Sequence, residues 1–422
     1  MNFTVKGNII HIPEIGNLEL YENSYIVVVN GRVSGIYETL PMEYNHLEVL
    51  DYGDKLIIPS FVDLHLHAVQ YANMGLGLDL ELLPWLKAYT YPEEEKFANL
   101  EYAERIFSHL IYDLYRFGSL RSCIFSSLHA DATILLMKML EEAGLSAYVG
   151  KTNMDRNSIG DLQETKDQSM DALMRILNEY KSIDGRIKPI ITPRFIPSCT
   201  DELLELLGQL AEERDLAVQS HLNENKKEVE WVKELVPESK NYLDAYTIRG
   251  LVRNSKTIMA HSIYNTEEEL AEIIGKGIFI AHCPSSNMNL TSGIMKTKKM
   301  MNLGVNMGLG SDIAAGDSLK INDVMVDAIK ASKILSLYSG DESDILSVED
   351  VFYLSTRGGG KFFGDVGSFK NGYSFDALII DDNSYNFKDS AGLKERLEMF
   401  IYRGDDRNIV DRFLEGRRLS II

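Results

Sequence analysis

Hydrophobic positions follow one rhythm at the two ends of the chain and another between them. Residues 24–29, Ser-Tyr-Ile-Val-Val-Val, are β-branched and aromatic. They stop at Asn30-Gly31, a hairpin turn signal, with 32–37 as the returning strand. Residues 375–381 again read as a strand, after the turn Asn371-Gly372. In the middle, apolar runs at 55–66, 119–127, 146–152, 188–196, 216–221, 257–261, 277–282 and 305–311 alternate with helix-spaced patterns at 100–117, 131–143, 162–180, 201–214, 266–276 and 321–335. Asp201 and Thr266 read as helix N-caps, and Gly144 and Gly277 fall just past helix ends. Eight strand candidates with helices between them predict parallel βαβ units, and a (β/α)8 TIM-type barrel is the expected architecture. The alternative is an open doubly wound sheet, but no Gly-rich phosphate turn follows the first of these strands. The expected division is a barrel over 58–367 and a small β-sandwich domain formed by 1–57 plus 368–422.

Composition narrows the class. With 45% hydrophobic and 25% charged residues the chain is neither disordered nor fibrous. Its 43 Lys and Arg against 63 Asp and Glu give a net charge of −20. Such a chain repels phosphate backbones and anionic lipid, so nucleic acid and membranes are not expected partners. No stretch reaches the ~18 consecutive apolar residues of a membrane span. The opening residues lack the layout of a signal peptide, so a cytoplasmic location is expected. Cys123, Cys199 and Cys283 lie far apart and read as free thiols in a reducing compartment.

Candidate chemistry gathers at predicted strand ends. His65 and His67 close the first strand run, and residues i and i+2 of a strand share a face, so both imidazoles can reach one ion. The runs 216–221 and 257–261 end in His221 and His261, and 305–311 leads into Asp312. In a barrel these ends converge on one site, where four imidazoles and a carboxylate suit a catalytic zinc. Glu224, three residues past His221, reads either as a proton shuttle or as a carboxylate opening a helix. His282 could be a fifth histidine of the site but reads as structural, Cys283 reads as structural, and His129 reads as structural or as support behind the site. Arg121 must face the helices, pair with an acid or reach the site.

The chain resembles the amidohydrolase superfamily, and within it the guanine deaminases. The likeness begins with Pro59-Ser60-Phe61-Val62-Asp63-Leu64-His65-Leu66-His67-Ala68-Val69-Gln70 and continues through Leu83-Pro84-Trp85-Leu86, Thr192-Pro193-Arg194-Phe195, Ser220-His221-Leu222-Asn223-Glu224, His282-Cys283-Pro284 and Gly310-Ser311-Asp312. His-x-His and the final Asp are common to the superfamily, whereas the Gln70, Trp85 and Arg194-Phe195 segments are specific to guanine deaminases. Ser60 and Ser311 stand where Gly and Thr are usual. The resemblance implies one metal, zinc or alternatively iron, held by His65, His67, His221 and Asp312. It assigns His261 to the attacking water or tetrahedral intermediate, Glu224 to proton transfer, and Gln70, Trp85, Arg194 and Phe195 to the purine. Binuclear relatives carry a Lys at the end of the fourth strand, and none stands in Ile191-Thr192-Pro193-Arg194. The implied activity is hydrolytic deamination of guanine to xanthine and ammonia in purine catabolism or salvage, by a homodimer. The alternative is an aminohydrolase for another amino-heterocycle, such as an adenine derivative, a pterin or a triazine. Residues 71–92 are the expected cover of the site.

Overall fold

The computed structural model describes residues 1–158, 162–386, 388 and 390–420. The expected range 368–422 therefore includes 387, 389, 421 and 422, which lie outside the described residues. Both chain ends enter one seven-stranded sheet, in the order Arg417–Arg418, Ile409–Leu414, Ala377–Ile380, Glu48–Pro59, Asn2–Glu14, Asn17–Val29, Arg32–Tyr37. The hairpin lies at Asn30-Gly31, where both residues take positive φ as a primed two-residue turn requires. Alternate residues of this sheet serve two cores. Ile57, Ala377, Ile379 and Phe413 join Phe3, Val5 and Ile26 in one cluster. Leu56, Ile58, Leu378 and Ile380 join the main core.

The middle of the chain forms two four-stranded parallel sheets and a two-stranded pair. One sheet is Phe61–His67, Ser119–Phe125, Ser146–Gly150, Ile187–Pro189, and the other is Val218–Leu222, Thr257–His261, Phe279–His282, Asn306–Leu309. Main-chain hydrogen bonds join the sheets at both flanks: Ile191 exchanges bonds with Ala217 and Gln219 on one side, and the Asp312 N–H donates to the His65 carbonyl at 2.8 Å on the other. Val62, Leu64, Cys123, Ile258, Ala260, Phe279 and Ala281 come from both sheets and form one buried cluster, so they fill the space between them. Among the described residues, no helix is long and apolar enough to cross a membrane.

Most helices begin and end where local chemistry dictates. Asn99 caps Leu100–Phe117 by accepting from the Glu101 and Tyr102 N–H groups. The helix buries Ala103, Ile106, Phe107, Leu110 and Leu114 and ends on Gly118 at φ 81°. Thr266 caps Glu267–Lys276 with a full capping box, as expected. Four expectations need correction. The run 55–66 is two strands, because residues through Pro59 pair with Ala377–Ile380 whereas Phe61 onward pairs with Ser119–Phe125. Both halves are buried, so hydropathy does not register the change of partner. The run 188–196 is likewise broken, into Ile187–Pro189 and Thr192–Pro193 with different neighbours. The cap of Asp201–Glu213 is Thr200, whose hydroxyl accepts from Leu203 N–H. The helix expected over 162–180 starts at Lys166, where Thr165 and Gln168 form a capping box.

Candidate metal centre

The five strand-end residues meet as expected, and all are buried. The first pair depends on an irregularity in its strand. Pairing with Ser119–Phe125 slips between Asp63 and Leu66. Such a slip exchanges faces, so the odd-numbered His65 and His67 turn inward above the even-numbered Val62 and Leu64. Asp63 holds this turn, its carboxylate accepting from the His65 N–H at 3.2 Å and the Ser311 N–H at 3.0 Å. Burial pushes the Asp63 carboxyl up to about 6 against those hydrogen bonds. His67 Nε2 lies 3.1 Å from His221 Nε2 and 3.6 Å from Asp312 Oδ1, and His65 Nε2 lies 3.2 Å from Asp312 Oδ1.

These atoms fit a cation. The His221 Nδ1 faces the Arg194 carbonyl at 2.6 Å and so carries the proton there, which leaves a bare lone pair on Nε2 aimed at His67. Burial, with the neighbouring imidazoles, holds the pKa values of His67 and His221 well below the ordinary histidine range, so both rings are neutral and could serve as donors to a cation. His65 Nε2 is buried and aligned with no hydrogen-bond acceptor, despite its closeness to Asp312. Asp312 is desolvated, but the surrounding imidazoles outweigh that and hold its carboxyl below the usual range. Neutral nitrogens converging on a carboxylate, one of them an orphan, are a donor set that a divalent ion completes. His261 and Asp312 adopt positive φ, 70° and 49°, at their strand ends. Left-handed backbone costs a non-glycine residue on the order of 1 kcal/mol or more, and here it aims both side chains into the site.

His261 and Glu224 adjoin this cluster. His261 Nε2 is 3.5 Å from Glu224 Oε2 and 3.8 Å from Asp312 Oδ2, while its Nδ1 pairs with Asn287 Oδ1 at 2.8 Å. Burial raises the Glu224 carboxyl well above its ordinary range, and the charges of Glu228 and Asp312 add to the rise. A carboxyl whose pKa is raised toward the working pH is better suited to exchange protons with a substrate. Glu224 also precedes the helix Lys226–Leu235, but Asn225 is the cap of that helix, so capping does not account for Glu224.

The cavity over this cluster is lined by Gln70, Trp85, Arg194, Phe195, His221, Glu224, His261 and Asp312, with Leu82, Leu86, Leu290 and Ala315 supplying apolar wall. All four expected purine contacts therefore border it. Trp85 is anchored by its indole N–H on the Leu76 carbonyl at 2.9 Å, within the 71–92 segment. Phe195 packs edge-on against Trp231 with ring centroids 6.4 Å apart. The sequence reading missed Glu94, whose buried carboxylate accepts from Gln70 Nε2 at 2.9 Å and Arg194 Nη1 at 2.6 Å. It sits in an acidic run that looks like the solvated first turn of a helix, and only its closeness to Gln70 in a shared cover segment hints otherwise. Asn287 was missed as well, because an amide in the short helix Pro284–Asn289 carries no local signal.

Arg121 lies away from the cavity. It donates to Asp376 Oδ2 at 2.7 Å and Ser146 Oγ at 2.9 Å, and so ties the parallel strands to the terminal sheet. His282 borders the other flank as a buried strand-end residue, its pKa lowered to about 3 by burial. Cys123, Cys199 and Cys283 are free and buried.

Comparison with known proteins agrees with this geometry. The amidohydrolase family profile matches residues 56–419. Guanine deaminase of Dictyostelium discoideum is 37% identical, with 98% of this chain and 97% of that protein aligned. The Homo sapiens guanine deaminase is 37% identical over 86% of this chain and 83% of its own. The Escherichia coli (strain K12) guanine deaminase is 31% identical over 95% and 92%. A crystal structure of guanine deaminase from C. acetobutylicum, with guanine bound in the active site, superposes with a TM-score of 0.97 at 44% identity and covers 100% of both chains. With the family profile spanning most of its length and relatives more than 30% identical aligned over nearly all of it, the chain belongs to the amidohydrolase family.

Proposed function

We propose that the protein hydrolyses guanine to xanthine and ammonia with one zinc ion per subunit. The observation that carries the reading is the union of two neighbouring features: a buried cluster in which His65, His67 and Asp312 converge and His221 faces His67, and beside it a Gln70 and Arg194 pair suited to the lactam edge of a purine. The zinc, or iron in its place, would lower the pKa of a bound water and so supply a nucleophile near neutral pH. Phe195 and Trp85 offer flat apolar surface to the base, and Arg194 donates to the C6 oxygen. Glu224 gives its proton to the ring nitrogen beside C2. Water adds its oxygen to C2 while Asp312 takes one of its protons. His261 hydrogen-bonds the oxygen of the resulting tetrahedral centre. The proton on Asp312 passes to the amino group, the C2–N bond breaks and ammonia leaves. The remaining hydroxyl proton returns to Glu224, and the product is xanthine.

The seams between the parallel sheets support a closed (β/α)8 barrel over 58–367, and the separate Phe3, Phe375 and Phe413 cluster supports a β-sandwich of 1–57 plus 368–422. The same reading carries a cytoplasmic homodimer without nucleic-acid or membrane partners, in keeping with the charge of −20. The test is ammonia release from guanine, adenine and a pterin offered in parallel to metal-replete protein. Release from guanine alone supports the reading. Release from another heterocycle and not from guanine would keep the metal centre and overturn the substrate.

A further inference from the structure

We propose that Glu94 determines which edge of a purine the pocket accepts, by holding Gln70 and Arg194 as an acceptor beside donors. The inference rests on reading Gln70 and Arg194 as purine contacts. Glu94 is buried at the end of the helix Tyr91–Glu94 and touches both residues at once, with Oε1 accepting from Gln70 and Oε2 from Arg194. A carboxylate can only accept, so Gln70 must present its NH₂ to Glu94. That removes the ambiguity of carboxamide orientation and leaves the Gln70 carbonyl oxygen for a ligand. Arg194 has five donors and no acceptor; one is taken by Glu94, and Tyr91 lies against the guanidinium, with the ring centroid 5.1 Å from it. Glu94 thus leaves the remaining Arg194 N–H groups and the Gln70 oxygen free in a cavity that both residues line.

An accepting oxygen next to rigid donors complements an N–H next to a carbonyl, which is the N1–C6 edge of guanine. It opposes a bare ring nitrogen next to an amino group, the edge of the diamino analogue in which an amine replaces the C6 oxygen. Both compounds carry the same C2 amino group, so the chemistry is shared and only the edge differs. A site built on buried hydrogen-bonding groups discriminates strongly at such an edge, because a mismatched ligand leaves them unpaired. Glu94 touches neither the reacting carbon nor the ligand, so it is a positioning residue.

The test compares kcat/KM for guanine and the diamino analogue in the wild type and in Glu94→Gln. The substituted amide keeps its oxygen on Arg194 and turns a donor toward Gln70, which then accepts and points its own NH₂ at the ligand. The expected result is a shift of about tenfold or more in the guanine-to-analogue ratio toward the analogue, carried by KM, at wild-type metal content. The exchange variant Gln70→Glu with Glu94→Gln again places a carboxylate against an amide. It presents an accepting oxygen to the ligand and is expected to restore the guanine preference. This second variant also serves where Glu94→Gln alone does not fold. A ratio unmoved by Glu94→Gln, or an exchange variant that does not prefer guanine, overturns the proposal. A metal-loaded wild type that ignores guanine overturns the underlying reading of the pocket, and the proposal with it.

Discussion

At the scale of single residues, the site works because neighbours settle protonation states before any substrate arrives. The Arg194 carbonyl fixes the His221 tautomer, and burial beside Glu228 and Asp312 raises the pKa of the Glu224 carboxyl. Glu224→Gln retains shape and hydrogen-bonding capacity but cannot move a proton. It is expected to keep its metal and lose about 10²- to 10⁴-fold in kcat, the usual contribution of a general acid–base. Steady-state kinetics with metal analysis on the same sample checks this, and near-wild-type turnover at full occupancy would refute the role. The convergence of His65, His67, His221, His261 and Asp312 was legible from sequence because histidine is rare in this chain and each of these residues closes or follows an apolar run. Glu94 and Asn287 were not, since Glu and Asn are ordinary surface residues and only burial against Gln70, Arg194 and His261 distinguishes them here.

At the scale of elements, the site is an assembly of strand ends, and close packing between strands sets its precision. Gly310 lies between Leu309 and the Ser311-Asp312 turn, where an added Cβ would come within 2.9 Å of both the His65 Cβ and the Cys283 Sγ. Gly310→Ala should therefore push two ligand-bearing segments apart. The expected outcome is a loss of about 1–3 kcal/mol of stability together with weakened metal binding. Thermal melts with and without added metal would show this as a smaller metal-dependent rise in Tm than in the wild type. An unchanged rise would mean the strands yield without moving the ligands. Element type and order followed from the hydrophobic rhythm, and the helix Leu100–Phe117 begins and ends where the sequence predicts. Partner changes did not follow, as at Pro59 and within 188–196. Burial on both faces makes one sheet look like another, and the slip at Asp63 that turns His65 inward has no compositional mark.

At the scale of the whole molecule, the two chain ends are bound to one another and to the parallel strands. Arg121 bridges the sheets through Asp376. His11, buried in the first strand, accepts from the Phe369 N–H at 3.2 Å and so joins the N-terminal strand to the C-terminal segment. Burial lowers the His11 pKa from 6.5 to about 4, against the opposing pull of Glu19. A histidine whose folded pKa is depressed contributes stability above the unfolded pKa. As pH falls, the unfolded chain takes up the proton first, so stability drains between about pH 6.5 and pH 4, by up to ~3 kcal/mol from this residue. Denaturant titrations across that window should show a steeper loss in the wild type than in His11→Gln. Equal slopes would locate the acid sensitivity elsewhere.

The central claim is that a metal held by three histidines and Asp312 serves hydrolysis at C2 of guanine. The most direct measurement is mass spectrometry of the product formed from guanine in ¹⁸O-labelled water by metal-loaded protein. The account predicts xanthine carrying one heavy oxygen, an equivalent of ammonia, and loss of both on chelation. Metal-loaded protein that forms no labelled xanthine, or that forms it equally well after chelation, would contradict it.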